Sequence, residues 1–180
     1  MSSLISEINK LERLSQVDKK TLTAFKDRID EGEPYTKPQN KTSHFCALFI
    51  PLYLEKGLVY IGDHIKAKIW SPPGGHLDLG EGPVDTVKRE FKEELSYELT
   101  NEDIELFDAN VTVCIPTGIC RLHFDFFYLV YMRDRINFKF DTHEYKDADW
   151  FSLEDSIRLV KFPQFNAIMK KLKHKHNKQY

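Results

Sequence analysis

Apolar residues recur at three- and four-residue spacing at Leu4, Ile8, Leu11 and Leu14, which predicts an amphipathic helix at the start of the chain. A second helix follows, with Leu22, Phe25 and Ile29 on its stripe, Ser15 as its candidate N-cap three residues before Asp18, and Gly32 as its stop. Residues 1–32 therefore form a helical N-terminal extension. The first reading is a hairpin packed on the main domain; the second is an element for homodimerisation or for covering a substrate. Residues 33–42 carry two prolines and no apolar period, as a linker does. The compact domain is expected over residues 43–180.

Beyond the linker the period changes. Residues 44–54 and 58–62 are rich in apolar and aromatic side chains around a Lys56-Gly57 turn, the pattern of a hairpin. Ile69 and Trp70 lead into Ser71-Pro72-Pro73-Gly74-Gly75, where regular structure is not expected and backbone can approach a ligand closely. Pro83 suits the first position of a helix whose inward stripe is Val84, Val87, Phe91 and Leu95. Strands are predicted over residues 104–107, 111–115, 122–132 and 148–151. The aromatics around His123 (Phe124, Phe126, Phe127 and Tyr128) are read as core. Ser152 would cap a helix over 153–159, and a last helix runs from 163 to about 172. This succession defines an α/β protein.

Composition narrows the partners. A length of 180 residues suits one domain, and a net charge of −2 gives no global reason to bind nucleic acid or an anionic membrane. No apolar run approaches membrane-spanning length and no secretion signal is recognisable, so the cytoplasm is the expected compartment. The basic stretch over residues 170–178 is read as a solvated helix end. Cys46, Cys114 and Cys120 are few and lack Cys-x-x-Cys spacing, which argues against a disulfide framework or a zinc site and favours small buried residues over a catalytic thiol.

Candidate chemistry concentrates in residues 75–97. Glu90, Glu93 and Glu94 fall on one side of the predicted helix, beside its apolar stripe. Like charges at that spacing destabilise a helix, and a hard divalent cation relieves the repulsion while holding phosphate oxygens. Arg89 lies four residues before Glu93, within pairing reach.

These residues resemble the Nudix box. Gly75, Glu81, Arg89, Glu90, Phe91, Glu93 and Glu94 match its intervals, and the likeness extends over roughly residues 43–160, including Trp70, Pro73-Gly74-Gly75 and the segment from Glu144 to Trp150. The resemblance implies a Nudix-type α/β/α sandwich with a mixed sheet, and hydrolysis of a nucleoside diphosphate linked to another group, a small-molecule nucleotide-type substrate. It implies that Glu90, Glu93 and Glu94, with the carbonyl of Gly74, ligate Mg2+ or Mn2+, and that Glu81 and Arg89 support the geometry. Glu93 and Glu144 are the candidate bases, and Gly75 and His76 are candidate substrate contacts. His44 and His64 are read as further residues near the cleft. Two positions depart from the pattern: Ser96 stands where the box has glycine and Tyr97 where an aliphatic residue is usual. The alternatives to a nucleotide pyrophosphohydrolase are a catalytically silent nucleotide or nucleotide-sugar sensor and an RNA 5′-pyrophosphohydrolase.

Overall fold

The structure is a computed structural model that describes residues 1–114 and 119–179. Its helices are α1 (Ser2–Leu11), α2 (Lys19–Asp30), α3 (Pro83–Leu95), α4 (Leu153–Leu159) and α5 (Pro163–Gln179). Its strands are β1 (Ser43–Tyr53), β2 (Leu58–His64), β3 (Ile69–Ser71), β4 (Gly74–His76), β5 (Asp103–Val113), β6 (Leu122–Tyr131) and β7 (Tyr145–Ser152). Five strands follow the hydrogen-bonded order β3-β2-β1-β6-β5, while β4 pairs with β1 and β7 with β2. The expected class, a mixed sheet with helices and an N-terminal helical extension, is what the chain adopts. Among the described residues no helix is long and apolar enough to cross a membrane.

Internal contacts divide the chain into two units. The first comprises Met1–Leu48, Gly74–Lys88 and Leu106–Tyr128, and the second Phe49–Pro73, Arg89–Glu105 and Leu129–Tyr180.

In the first unit, Leu4, Ile8 and Leu11 are buried along α1 as their spacing predicts. On α2 the stripe is rotated from the expected one: Thr21, Phe25 and Arg28 are buried, while Leu22 and Ile29 are half-buried. The reason is Arg28, whose guanidinium donates to the carbonyls of Pro34 (2.6 Å) and Ser43 (3.2 Å) and so ties the following segment to the helix. The N-cap is Asp18, which accepts from the Thr21 amide at 2.9 Å, and not Ser15. Gly32 does follow the helix end, at φ +69°, the left-handed turn that stops a helix. Phe25 then meets Phe45, Phe124 and Phe126 edge-on at 5.5, 5.4 and 5.1 Å, so the aromatic strand is core.

Gly74 and Gly75 form part of strand β4, where irregular structure was expected. They pair with Leu48 and Ala47 of β1. A Cβ on Gly74 would lie 2.4 Å from the Ala47 carbonyl oxygen, so only glycine admits this pairing. The strands expected over 104–107 and 111–115 are likewise one strand, β5, with Ile115 outside the described residues. Asp108, between the two expected strands, is fully buried and its carboxylate accepts from the Ala109 amide at 2.8 Å.

The second unit is built on β2, paired antiparallel with the end of β1 across the expected Lys56-Gly57 turn, with β3 and with the length of β7. Phe91 of α3 stacks on Phe49 at 4.8 Å and meets Phe138 edge-on. Helix α5 runs past its expected end to Gln179, and its basic tail is partly neutralised: Lys173 reaches Glu154 at 3.0 Å and Lys175 reaches Glu105 at 2.6 Å.

Candidate active site

Helix α3 begins as its sequence requires. Gly82 precedes Pro83, and Asp85 reaches back to accept from the Gly82 amide at 3.0 Å, which satisfies a donor the helix itself leaves unpaired. Glu81 accepts from the Thr86 hydroxyl (3.0 Å) and the Asp78 amide (3.2 Å), so its carboxylate braces the loop onto the first turn.

The last two turns carry the acids. Val87, Phe91 and Leu95 are buried, which turns Glu90 and Glu94 toward the rim of the core and leaves Glu93 outermost, with 58% of its side chain exposed. Arg89 contacts Glu90 at 2.7 Å and Glu93 at 3.1 Å, so one guanidinium gathers two carboxylates. Glu94 is buried and accepts from the Tyr145 hydroxyl at 2.9 Å. Burial pushes the Tyr145 phenol well above its ordinary range; the charges of Glu94, Glu90 and Glu144 add to the effect. The buried phenol therefore stays protonated and remains a donor to Glu94.

Tyr145 was not foreseen from the sequence, where only its neighbour Glu144 stood out. Glu144 itself is ion-paired with Lys66 at 2.6 Å and lies 3.8 Å from His64 Nε2. His64 is held below its ordinary pKa, mainly by burial, and its Nδ1 is buried without a hydrogen-bond partner. An open cleft of about 690 Å³ runs along these residues, lined by Asp63, His64, Ile65, Lys68, Thr142, Tyr145 and Lys146. That volume lies within the range of small-ligand sites, and two lysines and an imidazole on its walls suit an anionic ligand. Lys68 holds a left-handed backbone at φ +55°, a conformation uncommon outside glycine and one that no motif announced.

In the first unit, Gly75 and His76 sit on β4. The His76 ring lies 4.7 Å from that of His44 and 5.0 Å from that of His123, and its Nδ1 accepts from Lys37 at 3.2 Å. His44 is fully buried among these rings.

The donor set on α3 fits a divalent cation: the side chains are carboxylates, hard oxygen donors on one helical face, and their charge is only partly met by Arg89. A family model described as the NUDIX domain matches residues 42–174. Over 105 residues the chain is 27% identical to a Caenorhabditis elegans bis(5′-nucleosyl)-tetraphosphatase (asymmetrical), covering 57% of this chain and 72% of that protein. Among solved structures, the E. coli dihydroneopterin triphosphate pyrophosphohydrolase superposes with a TM-score of 0.64 at 12% identity, over 77% of this chain and 97% of that one. A C. elegans Ap4A hydrolase binary complex superposes with a TM-score of 0.60 at 19% identity, over 72% and 95%. The chain belongs to the Nudix family. It is a hydrolase of that family.

Proposed function

We propose that the protein is a metal-dependent pyrophosphohydrolase that cleaves a nucleoside diphosphate linked to another moiety, with dinucleoside polyphosphates as the first class to examine. The observation that carries this reading is the row of carboxylates on α3, with Glu90 and Glu93 gathered by Arg89 and Glu94 held by the Tyr145 hydroxyl, Tyr145 itself lining a cleft with Lys68, Lys146 and His64 on its walls. The relationship to a bis(5′-nucleosyl)-tetraphosphatase supports the choice of class.

Glu90, Glu93 and Glu94 would hold the cation, Mg2+ or Mn2+, with the carbonyl of Gly74 as the further ligand that the family pattern implies. When bound, the cation polarises phosphate oxygens and lowers the pKa of the attacking water. Arg89 keeps Glu90 and Glu93 oriented. Tyr145 fixes Glu94 by donating to one of its oxygens, which sets the direction of the other. A carboxylate oxygen of Glu93 or Glu144 takes the proton from water as its oxygen attacks phosphorus, and the diphosphate bridge oxygen leaves. Lys66 holds Glu144 in place through their ion pair.

Single-turnover assays of Glu93→Gln and Glu144→Gln on diadenosine tetraphosphate test the assignment. Loss of the general base lowers the rate by roughly 10²–10⁴-fold. Full activity in both variants would remove both residues from the mechanism. Absence of wild-type turnover together with tight nucleotide binding would instead identify a sensor, and turnover confined to 5′-pyrophosphorylated RNA an RNA-directed enzyme.

A further inference from the structure

Alternation along β1 puts His44 and Cys46 on one face, two residues apart. Cys46 is the Cα partner of His76 on β4, and β6, the neighbour of β1 on the other side, supplies His123. One ligand-type atom from each of these four side chains lies within 4.8 Å of all the others. Their rings are mutually close: His44 to His123 is 4.8 Å, alongside the two distances to His76 given above.

Three imidazoles and a thiol on adjacent strands are an expensive way to fill a core. Hydrophobic side chains would do so without desolvating polar nitrogens. His123 Nε2 shows the cost directly, being buried with no hydrogen-bond partner. A metal ion would satisfy it.

We propose that His44, Cys46, His76 and His123 form a second metal site, which takes one divalent ion of zinc type through three imidazole nitrogens and one thiolate.

Tetrahedral zinc with these donors needs ligand atoms roughly 3.3–3.7 Å apart, so the four atoms close by about 1 Å on binding. Outer partners are already in place. His44 Nδ1 donates to the Asn40 carbonyl at 2.8 Å, which leaves the lone pair on Nε2 for the ion. Cys46 is hydrogen-bonded to the buried carboxyl of Asp125, which Thr112 also contacts. On binding, the Cys120 thiol, 3.7 Å from His44 Nε2, gives way, as does the exposed Lys37 ammonium on His76, which swings into water. The Cys46 S–H bond breaks as the S–metal bond forms, and the proton passes to the carboxyl of Asp125, which burial has pushed up to about 7 and which then donates back to the thiolate; no electron is transferred. The donors are borderline to soft, unlike the oxygens of α3, so the site selects zinc or cobalt over magnesium. Its consequence is to clamp β1, β4 and β6 together.

The test uses the full chain carrying Glu90→Gln and Glu93→Gln, so that the α3 carboxylates do not compete and failure here leaves the proposed hydrolase reading untouched. The metal-stripped protein is titrated with Zn2+ and, separately, with Co2+ followed by absorption. The expected result is one equivalent bound, with a thiolate-to-cobalt charge-transfer band. Cys46→Ser abolishes that band, and His123→Asn weakens zinc binding by at least about 10–100-fold. No binding by the Glu-substituted parent chain, or a charge-transfer band that survives Cys46→Ser and disappears with Cys120→Ser, overturns the proposal. Because the parent chain is itself informative, a variant that fails to fold does not remove the test.

Discussion

The acidic face of α3 and the imidazole–thiol group on β1, β4 and β6 are two collections of donor atoms built by opposite means. On α3 a single stretch of chain supplies hard oxygens at the rim of the core, and their mutual repulsion is partly met by Arg89 at 2.7 and 3.1 Å. On the strands the donors come from positions as far apart in sequence as His44 and His123, are nitrogen and sulfur, and lie in or near the core. The first arrangement is accessible to water and to a charged substrate, as turnover requires. The second draws on three strands, with His44 and Cys46 buried and His76 and His123 half-buried, the placement that suits an ion with a structural role. Donor hardness and burial, more than the number of ligands, separate chemistry from scaffold.

Gly74→Ala tests the strand group hardest. It forces a Cβ against the Ala47 carbonyl at a backbone φ of +135°, and the expected loss is on the order of 3 kcal/mol in denaturant unfolding. Zinc affinity falls with it, because β4 carries His76. An alanine variant of wild-type stability would mean that the β1–β4 pairing is not what holds this group together.

Tyr145→Phe probes the acidic side. It removes a donor from buried Glu94, and a loss of about 1–3 kcal/mol is expected, with activity reduced while zinc binding at the strands is retained. Equal loss of both metal functions would break the distinction between the regions.

Ser96→Gly is smaller and opposite in sign. Ser96 holds φ +51° just past the end of α3, where the box pattern has glycine. Relieving that conformation stabilises the chain by about 1 kcal/mol, readable as a shift in unfolding midpoint.

The smallest effect is electrostatic. Burial lowers the His64 pKa, Lys66 lowers it further and Glu144 opposes them, with Tyr145 packed alongside. The folded state thus binds fewer protons at His64 than the unfolded chain does. Its contribution to stability is present above the unfolded value of about 6.5 and is lost as pH falls from there through the folded value. His64→Gln flattens the stability profile across that window; an unchanged profile would show that His64 titrates normally.

The same contrast explains what the sequence disclosed. Helix α3 was legible because periodicity, the Pro83 start and the spaced glutamates all lie within one local segment, where a helix converts spacing directly into geometry. The hairpin of β1 and β2 and the Ser152 cap of α4, accepting from Asp155 at 3.0 Å, were legible for the same reason. The cap was placed on Ser15 instead of Asp18, and Arg28 gave no signal, because their roles depend on contacts that periodicity does not weigh. Gly74 and Gly75 read as loop, since their strand character comes from close approach to β1 and from nothing in their own propensity. Cysteine spacing argued against a zinc site, whereas His44, Cys46, His76 and His123 are brought together across strands, which local spacing does not register. Tyr145 had no signal beyond adjacency to Glu144.

The central claim is that this acidic helix serves hydrolysis of a nucleotide diphosphate bridge. Its most direct test is to incubate the metal-stripped wild-type chain with a panel of dinucleoside polyphosphates, nucleoside triphosphates and nucleotide sugars, with and without Mg2+, and to follow nucleotide products by chromatography. The account predicts magnesium-dependent cleavage of at least one member, lost in Glu93→Gln. Cleavage independent of added cation, or undiminished in the Glu93→Gln chain, would contradict it.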